Sequence, residues 1–121
     1  MDPDRIIDPE LVFALDCLAD DEGWAHSLQL HPGGAADFVS HRPDQLDHGL
    51  RWIVRNLDQD ALGLMLPATA EADGYAAEKA KGNLRLLPPQ GEFRCSLEFG
   101  TLEPDEAAEM QQRIDEVMRG R

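Results

Sequence analysis

Four short apolar runs, each bounded by turn signals, constrain this chain more than any other feature. They are LRWIV (50–54), ALGLML (61–66), NLRLL (83–87) and FRCSLEF (93–99). Runs of this length with turn residues at their ends predict strands. The last one alternates strictly, with Phe93, Cys95, Leu97 and Phe99 on one side and Arg94, Ser96 and Glu98 on the other. That is the period of a half-buried strand. LDQD (57–60) predicts a hairpin turn between the 50s and 60s strands, and LPPQGE (87–92) a second hairpin between the 80s and 90s strands. A polar loop, ATAEADGYAAEKAKG (68–82), separates the two pairs.

Upstream, Asp2-Pro3 and Asp8-Pro9 mark an irregular lead-in, because the residue before proline avoids the helical region. The run LVFALDCLA (11–19) fits a strand, with Leu11, Phe13, Leu15 and Cys17 on one face, and also a short helix opened by Asp8-Pro9-Glu10. The strand is preferred because every later run before the tail reads as one. ADDEGW (19–24) is an acidic turn. HSLQLHP (26–32) alternates again and ends at Pro32-Gly33-Gly34. Residues 35–49 read as a long polar connection.

The tail changes period. Ala107, Met110, Ile114, Val117 and Met118 form one stripe of an α-helix over 104–119. Pro104 suits its first turn, Asp105 and Glu106 complement the dipole there, Arg119 does so at the other end, and Gly120 can cap. The expected fold is therefore mainly β: a single domain over 1–121, an antiparallel β-sandwich with one C-terminal α-helix. Its strands are expected near 11–18, 26–31, 50–55, 61–66, 83–87 and 93–100.

Composition narrows the function classes. With 121 residues, 42% hydrophobic and 29% charged, the chain matches an ordinary soluble domain. A net charge of −13 argues against nucleic acid and anionic membranes as partners, since both are bound through clustered Lys and Arg. No apolar run approaches the ~18 residues of a membrane span, and MDPDRIIDPE lacks the features of a signal peptide, so a cytoplasmic location is the default. Cys17 and Cys95 lack metal-ligand spacing and are expected as buried free thiols. His26 and His31 point to opposite faces of one strand, and no metal motif or phosphate loop is present, so no metal or cofactor is expected. Ser27, Ser40 and Ser96 have no evident base nearby.

Acid–base chemistry needs a titratable pair, for which His48 and the loop carboxylates, Glu71 first, are candidates. Arg51 and Arg55 share a strand face and could hold an anion or a hydroxyl, and Trp24 and Tyr75 could stack on a sugar ring. The order Trp52, Leu62-Gly63-Leu64, Thr69-Ala70, Gly74-Tyr75, Leu87-Pro88-Pro89-Gln90-Gly91-Glu92, then Glu98-Phe99-Gly100-Thr101-Leu102 resembles the C-terminal part of galactose mutarotase-like (aldose 1-epimerase-like) proteins. That resemblance implies a partial β-supersandwich, a sugar or sugar derivative as partner, and aldose 1-epimerase-like isomerisation. For such a reaction the residues themselves offer Glu71 as base and His48 as acid, with Arg51 or Arg55 positioning hydroxyls and Tyr75 and Trp24 stacking on the sugar. The chain departs from the family where the base is sought, at Leu66-Pro67, and Glu71 comes several positions later. The competing class is a non-catalytic acidic β-rich interaction or oligomerisation domain, which associates through exposed sheet edges.

Overall fold

The strand β4 (His48–Arg55) organises the larger of two antiparallel sheets, in a computed structural model that describes residues 6–58 and 60–120. Its sequence, HGLRWIVR, carries apolar residues on both faces, and it is paired along both edges. On one edge lies β1 (Ile7–Leu15), in register from Leu11 opposite Ile53 to Leu15 opposite Gly49. The ladder is interrupted between Ile7 and Leu11, where Pro9 has no N–H to donate. The other edge of β4 is shared. β5 (Asp60–Leu62) pairs with Ile53–Arg55, and β6 (Leu66–Ala68) pairs with His48–Leu50. Between them the Gly63 N–H donates to the Trp52 carbonyl at 2.8 Å. The single strand expected over 61–66 is thus two short ones. The hairpin expected between the 50s and 60s strands is present as the β4–β5 pair.

The second sheet has the order β2 (Ala25–Leu30), β3 (Ala36–His41), β7 (Leu97–Leu102). The turn at residues 32–34 joins β2 to β3, with the His31 N–H donating to the Ala35 carbonyl at 2.8 Å. β7 pairs with the other edge of β3, from Ala36 opposite Leu102 to His41 opposite Leu97. Two helices complete the fold: α1 (Tyr75–Lys81) and α2 (Pro104–Arg119). The expected helix over 104–119 is present with Pro in its first turn. It also has a capping box, in which the Glu103 and Glu106 carboxylates each accept the other's backbone N–H. α2 packs against β2 and β7 and buries Ala107.

The fold is mainly β, with two antiparallel sheets and a C-terminal helix, as the sequence pattern implies. Several local expectations fail. Residues 35–49 are not a polar connection, because 36–41 form the central strand β3. The polar loop 68–82 contains α1. Residues 83–87 are not a strand, and the last strand starts at Leu97 rather than near 93, so the second hairpin is absent. The turn itself exists, with the Gly91 N–H on the Pro88 carbonyl at 2.8 Å. The flanking segments are held by side chains instead of a ladder. The Arg85 guanidinium donates to the Gln45 carbonyl at 2.8 Å, and the Gln45 amide oxygen accepts the Ser96 N–H at 2.8 Å. Cys95 is exposed and not buried, because its segment lies before the start of β7 and outside the sheet.

Gly49 is buried where β1 and β4 meet the sulfur atoms of Met65 and Cys17. A Cβ there would lie 2.8 Å from Met65 Sδ and 3.2 Å from Cys17 Sγ. Gly49→Val therefore overpacks the sheet and is expected to cost about 1–3 kcal/mol, read as a lower midpoint in urea unfolding with an unchanged slope.

Candidate functional site

The residues singled out from the sequence do not form one cluster. β4 is a regular strand, so His48 and Trp52 lie on one face while Arg51 and Arg55 lie on the other. His48 sits opposite Ala68 of β6, beside the start of the segment that carries Glu71. Glu71 is committed to a local network around α1. Its N–H donates to Glu78 Oε1 at 2.8 Å, and its carboxylate accepts from Lys81 Nζ at 3.1 Å. Lys81 also pairs with Asp73 and with Glu78. Tyr75 is exposed at the start of α1. Trp24 lies on the second sheet's side of the chain, with the Arg42 guanidinium 5.3 Å from its ring centroid.

Glu78 is the organiser of that network, and it is buried. The Asn83 amide donates to it at 2.9 Å. This bond lowers the Glu78 carboxyl most; burial opposes it, and the Glu71, Lys81 and Asp73 donors add to the lowering, to about 2. Asp73 and Glu71 in turn hold the Lys81 ammonium above the usual lysine range. The arrangement satisfies the backbone of the 71–73 turn and reads as a structural clamp.

A second network was not foreseen. His26 Nδ1 lies 2.7 Å from Ser40 Oγ, and His26 Nε2 lies 2.9 Å from Asp20 Oδ2. Cross-strand register makes this possible, since His26 is directly opposite Ser40. Ser40 therefore does have a base beside it, contrary to the expectation from sequence. The row resembles a nucleophile–base–carboxylate relay, but Ser40 is only 1% exposed. A nucleophile must meet the reacting carbon at about 3 Å, which a sealed hydroxyl cannot do. The row instead ties the turn of residues 19–24 to β2 and β3. Asp20 Oδ1 accepts the Glu22 and Trp24 N–H groups, each at 3.0 Å. Burial raises the Asp20 carboxyl, but the His26, Trp24 and Glu22 donors outweigh it and hold it below the usual value. Next along β3, His41 is also buried, and its Nδ1 has no hydrogen-bond partner among the described residues.

Two concavities meet at Val117, between the chain after β1 and the last two turns of α2. One, of about 170 Å³, is lined by Cys17, Leu18, Ile114, Val117 and Met118, with His26 on its wall. Asp16 also lines it, and burial, then the Asp16 charge, pushes the Cys17 thiol up, so the thiol stays protonated. The other is wider and lined by Asp20, Asp21, Glu22 and Glu116, with Arg113 the one cation on it. None of Glu71, His48, Arg51, Arg55, Tyr75 or Trp24 lines either concavity. The signal in the sequence was the passage from apolar LVFALDCLA to acidic ADDEGW, but only the fold brings α2 against it.

The outer edge of β1 pairs with no strand among the described residues. Along it Leu11, Val12, Phe13 and Leu15 are all exposed, Val12 by 48% and Phe13 by 43%. A second exposed apolar group, Leu97 and Phe99, lies on β7. Among the described residues no set of three or more His, Cys, Asp or Glu side chains is placed to hold a metal ion, and no helix is long and apolar enough to cross a membrane. No family model, curated protein or solved structure matches this chain.

Burial first, and the nearby His26 second, hold the His41 imidazole below its ordinary value. The folded ring then takes up a proton less readily than the unfolded chain's ring. Stability is full above about pH 6.5 and is lost as pH falls from there toward the depressed value of the folded state. Thermal unfolding between pH 7.5 and 5.5 should show a falling Tm, and His41→Gln should flatten the slope. At lower pH the clamp adds a second loss. Glu78 contributes above its ordinary carboxylate value, and that contribution disappears as pH falls from there to about 2. Glu78→Ala should speed amide exchange at Glu71 and Asp73 by at least about tenfold, because their N–H groups lose a buried acceptor.

Proposed function

We propose that this chain is a non-catalytic, acidic, β-rich interaction domain that self-associates through the outer edge of β1. The observation that carries this reading is the run Leu11–Leu15: five consecutive apolar residues on an unpaired edge, with the four large ones exposed. Edge strands in monomeric proteins are usually blunted by a charge or a proline. Here the one proline of β1, Pro9, lies at the far end of the strand, and no charge falls within 11–15.

The occupant that fits is a second copy. Antiparallel pairing centred on Phe13 sets Leu11 against Leu15 and Val12 against Ala14, so both faces of the joined sheet match apolar to apolar. A two-fold interface needs this self-complementarity. The residues that flank the apolar run are acidic, Glu10 and Asp16. Such a dimer forms against like-charge repulsion, and added salt strengthens it by screening.

The competing reading is a mutarotase-like, sugar-binding module with aldose 1-epimerase-like activity. It needs Glu71, His48 and the arginines to face one ligand. The β4 register, the Glu71–Lys81 pair and the Arg42–Trp24 stack weigh against it.

Light scattering decides between them. The expected result is a species of twice 13.4 kDa, favoured by raising salt from 0.05 to 0.5 M. Val12→Lys should return it to a folded monomer, since an edge lysine opposes strand addition. A monomer at every concentration and salt would overturn the proposal. A Tm raised by a hexose in that monomer would favour the sugar-binding reading.

A further inference from the structure

The self-association surface leaves the two concavities beside α2 unused, and their chemistry is of a different kind. The smaller is lined mainly by apolar side chains, with Asp16 and His26 on its wall, and has a volume of about 170 Å³. That is close to the ~150 Å³ at which an engineered apolar cavity accepts benzene, so it suits one leucine, methionine or phenylalanine side chain. The larger shares Val117 with it and is strongly acidic. Its carboxylates differ in how committed they are. Asp20 is already held by His26 and two backbone N–H groups, whereas Asp21, Glu22 and Glu116 are exposed. Asp16 adds a further exposed carboxylate at the mouth of the apolar cavity. Arg113 offsets only part of this charge.

From this juxtaposition we infer that the groove between residues 16–22 and the C-terminal half of α2 binds a short basic peptide segment. One apolar side chain would enter the cavity at Val117, with flanking Lys or Arg on Asp21, Glu116 and Asp16. The charge complementarity selects the partner: an acidic rim repels acidic and phosphorylated ligands and attracts cations. The length also fits. From Arg113 to the C-cap Gly120, the end of α2 spans about 10 Å, which is about three residues of extended peptide. Carboxylates at the rim and an apolar anchor at the centre match the usual division between contacts that steer and contacts that hold. Self-association through β1 is a separate surface, and this binding does not require it.

The test uses the full chain and fluorescence anisotropy with a labelled, capped Gly-Lys-Leu-Lys-Gly peptide. Saturable binding is expected, weakening as salt rises from 0.05 to 0.3 M. Replacing the central leucine with alanine should weaken it about tenfold, the order expected from losing one buried leucine side chain. Asp21→Lys with Glu116→Lys should weaken binding at least about tenfold at unchanged Tm, since two attractive pairs become repulsive. The neutral pair Asp21→Asn and Glu116→Gln serves if the reversed one unfolds, and should weaken binding at least about threefold. Val12→Lys should leave binding unchanged. Three outcomes would overturn the inference: no saturable binding, equal binding of a Glu-Leu-Glu peptide, or charge-changed variants that bind normally. Equal affinity for the leucine and alanine peptides would also overturn it, because the cavity would then anchor nothing.

Discussion

The pairing of β4 with three other strands is the constraint on which the larger sheet rests. β1 takes one edge of β4, while β5 and β6 divide the other between them. Each of those three depends on the β4 ladder for its backbone hydrogen bonds, and none is long enough to be stable alone. The close contact at Gly49, with Met65 and Cys17 pressed against the strand, shows why a residue without a side chain stands there. Because β4 is fully engaged, the unsatisfied donors and acceptors of this sheet are displaced to its margins. The outer edge of β1 is the longest of these.

The second sheet solves a different problem, that of burying polar groups. Its central strand carries Ser40 and His41 into positions closed to solvent. Ser40 is tolerated because His26 lies directly across the ladder, and His26 is in turn fixed by Asp20. An unpaired buried hydroxyl or imidazole nitrogen is costly, and the row removes that cost at Ser40. It also anchors the acidic turn that forms one wall of the groove. The same hydrogen bonds that let β3 occupy the centre of the sheet therefore place Asp21 and Glu22 across from α2.

Charge and apolar exposure are distributed unevenly, which gives the surface its character. The net charge of −13 opposes close approach of copies. The apolar stretch on β1 works against that repulsion within five residues, and Phe99 on β7, 81% exposed, adds a second apolar point. A soluble domain that only needed to remain monomeric would gain by placing some of its many carboxylates on these strands.

Much of the architecture was legible in the sequence. Alternation in 26–31, the apolar run at 50–54, the LDQD turn and the 3.6-residue stripe of 104–119 are local signals that backbone geometry enforces. The failures have physical causes. β3 was hidden because it carries the polar Ser40 and His41 into buried positions, and the burial of Ser40 depends on a partner 14 residues away. The strand expected over 83–87 had the right composition, but Asn83 is drawn to Glu78 and Arg85 to Gln45, which leaves no ladder to join. Of the candidate site, the individual residue types could be read and their grouping could not. A strand's period does separate His48 from Arg51, but whether the loop carrying Glu71 folds back toward either depends on α1 and its clamp. The sequence by itself determined the β-rich class, the terminal helix and the acidic surface, since these follow from composition and period. Only the tertiary structure decided which edge stays open and which carboxylates meet α2, because both depend on contacts between segments far apart in the chain.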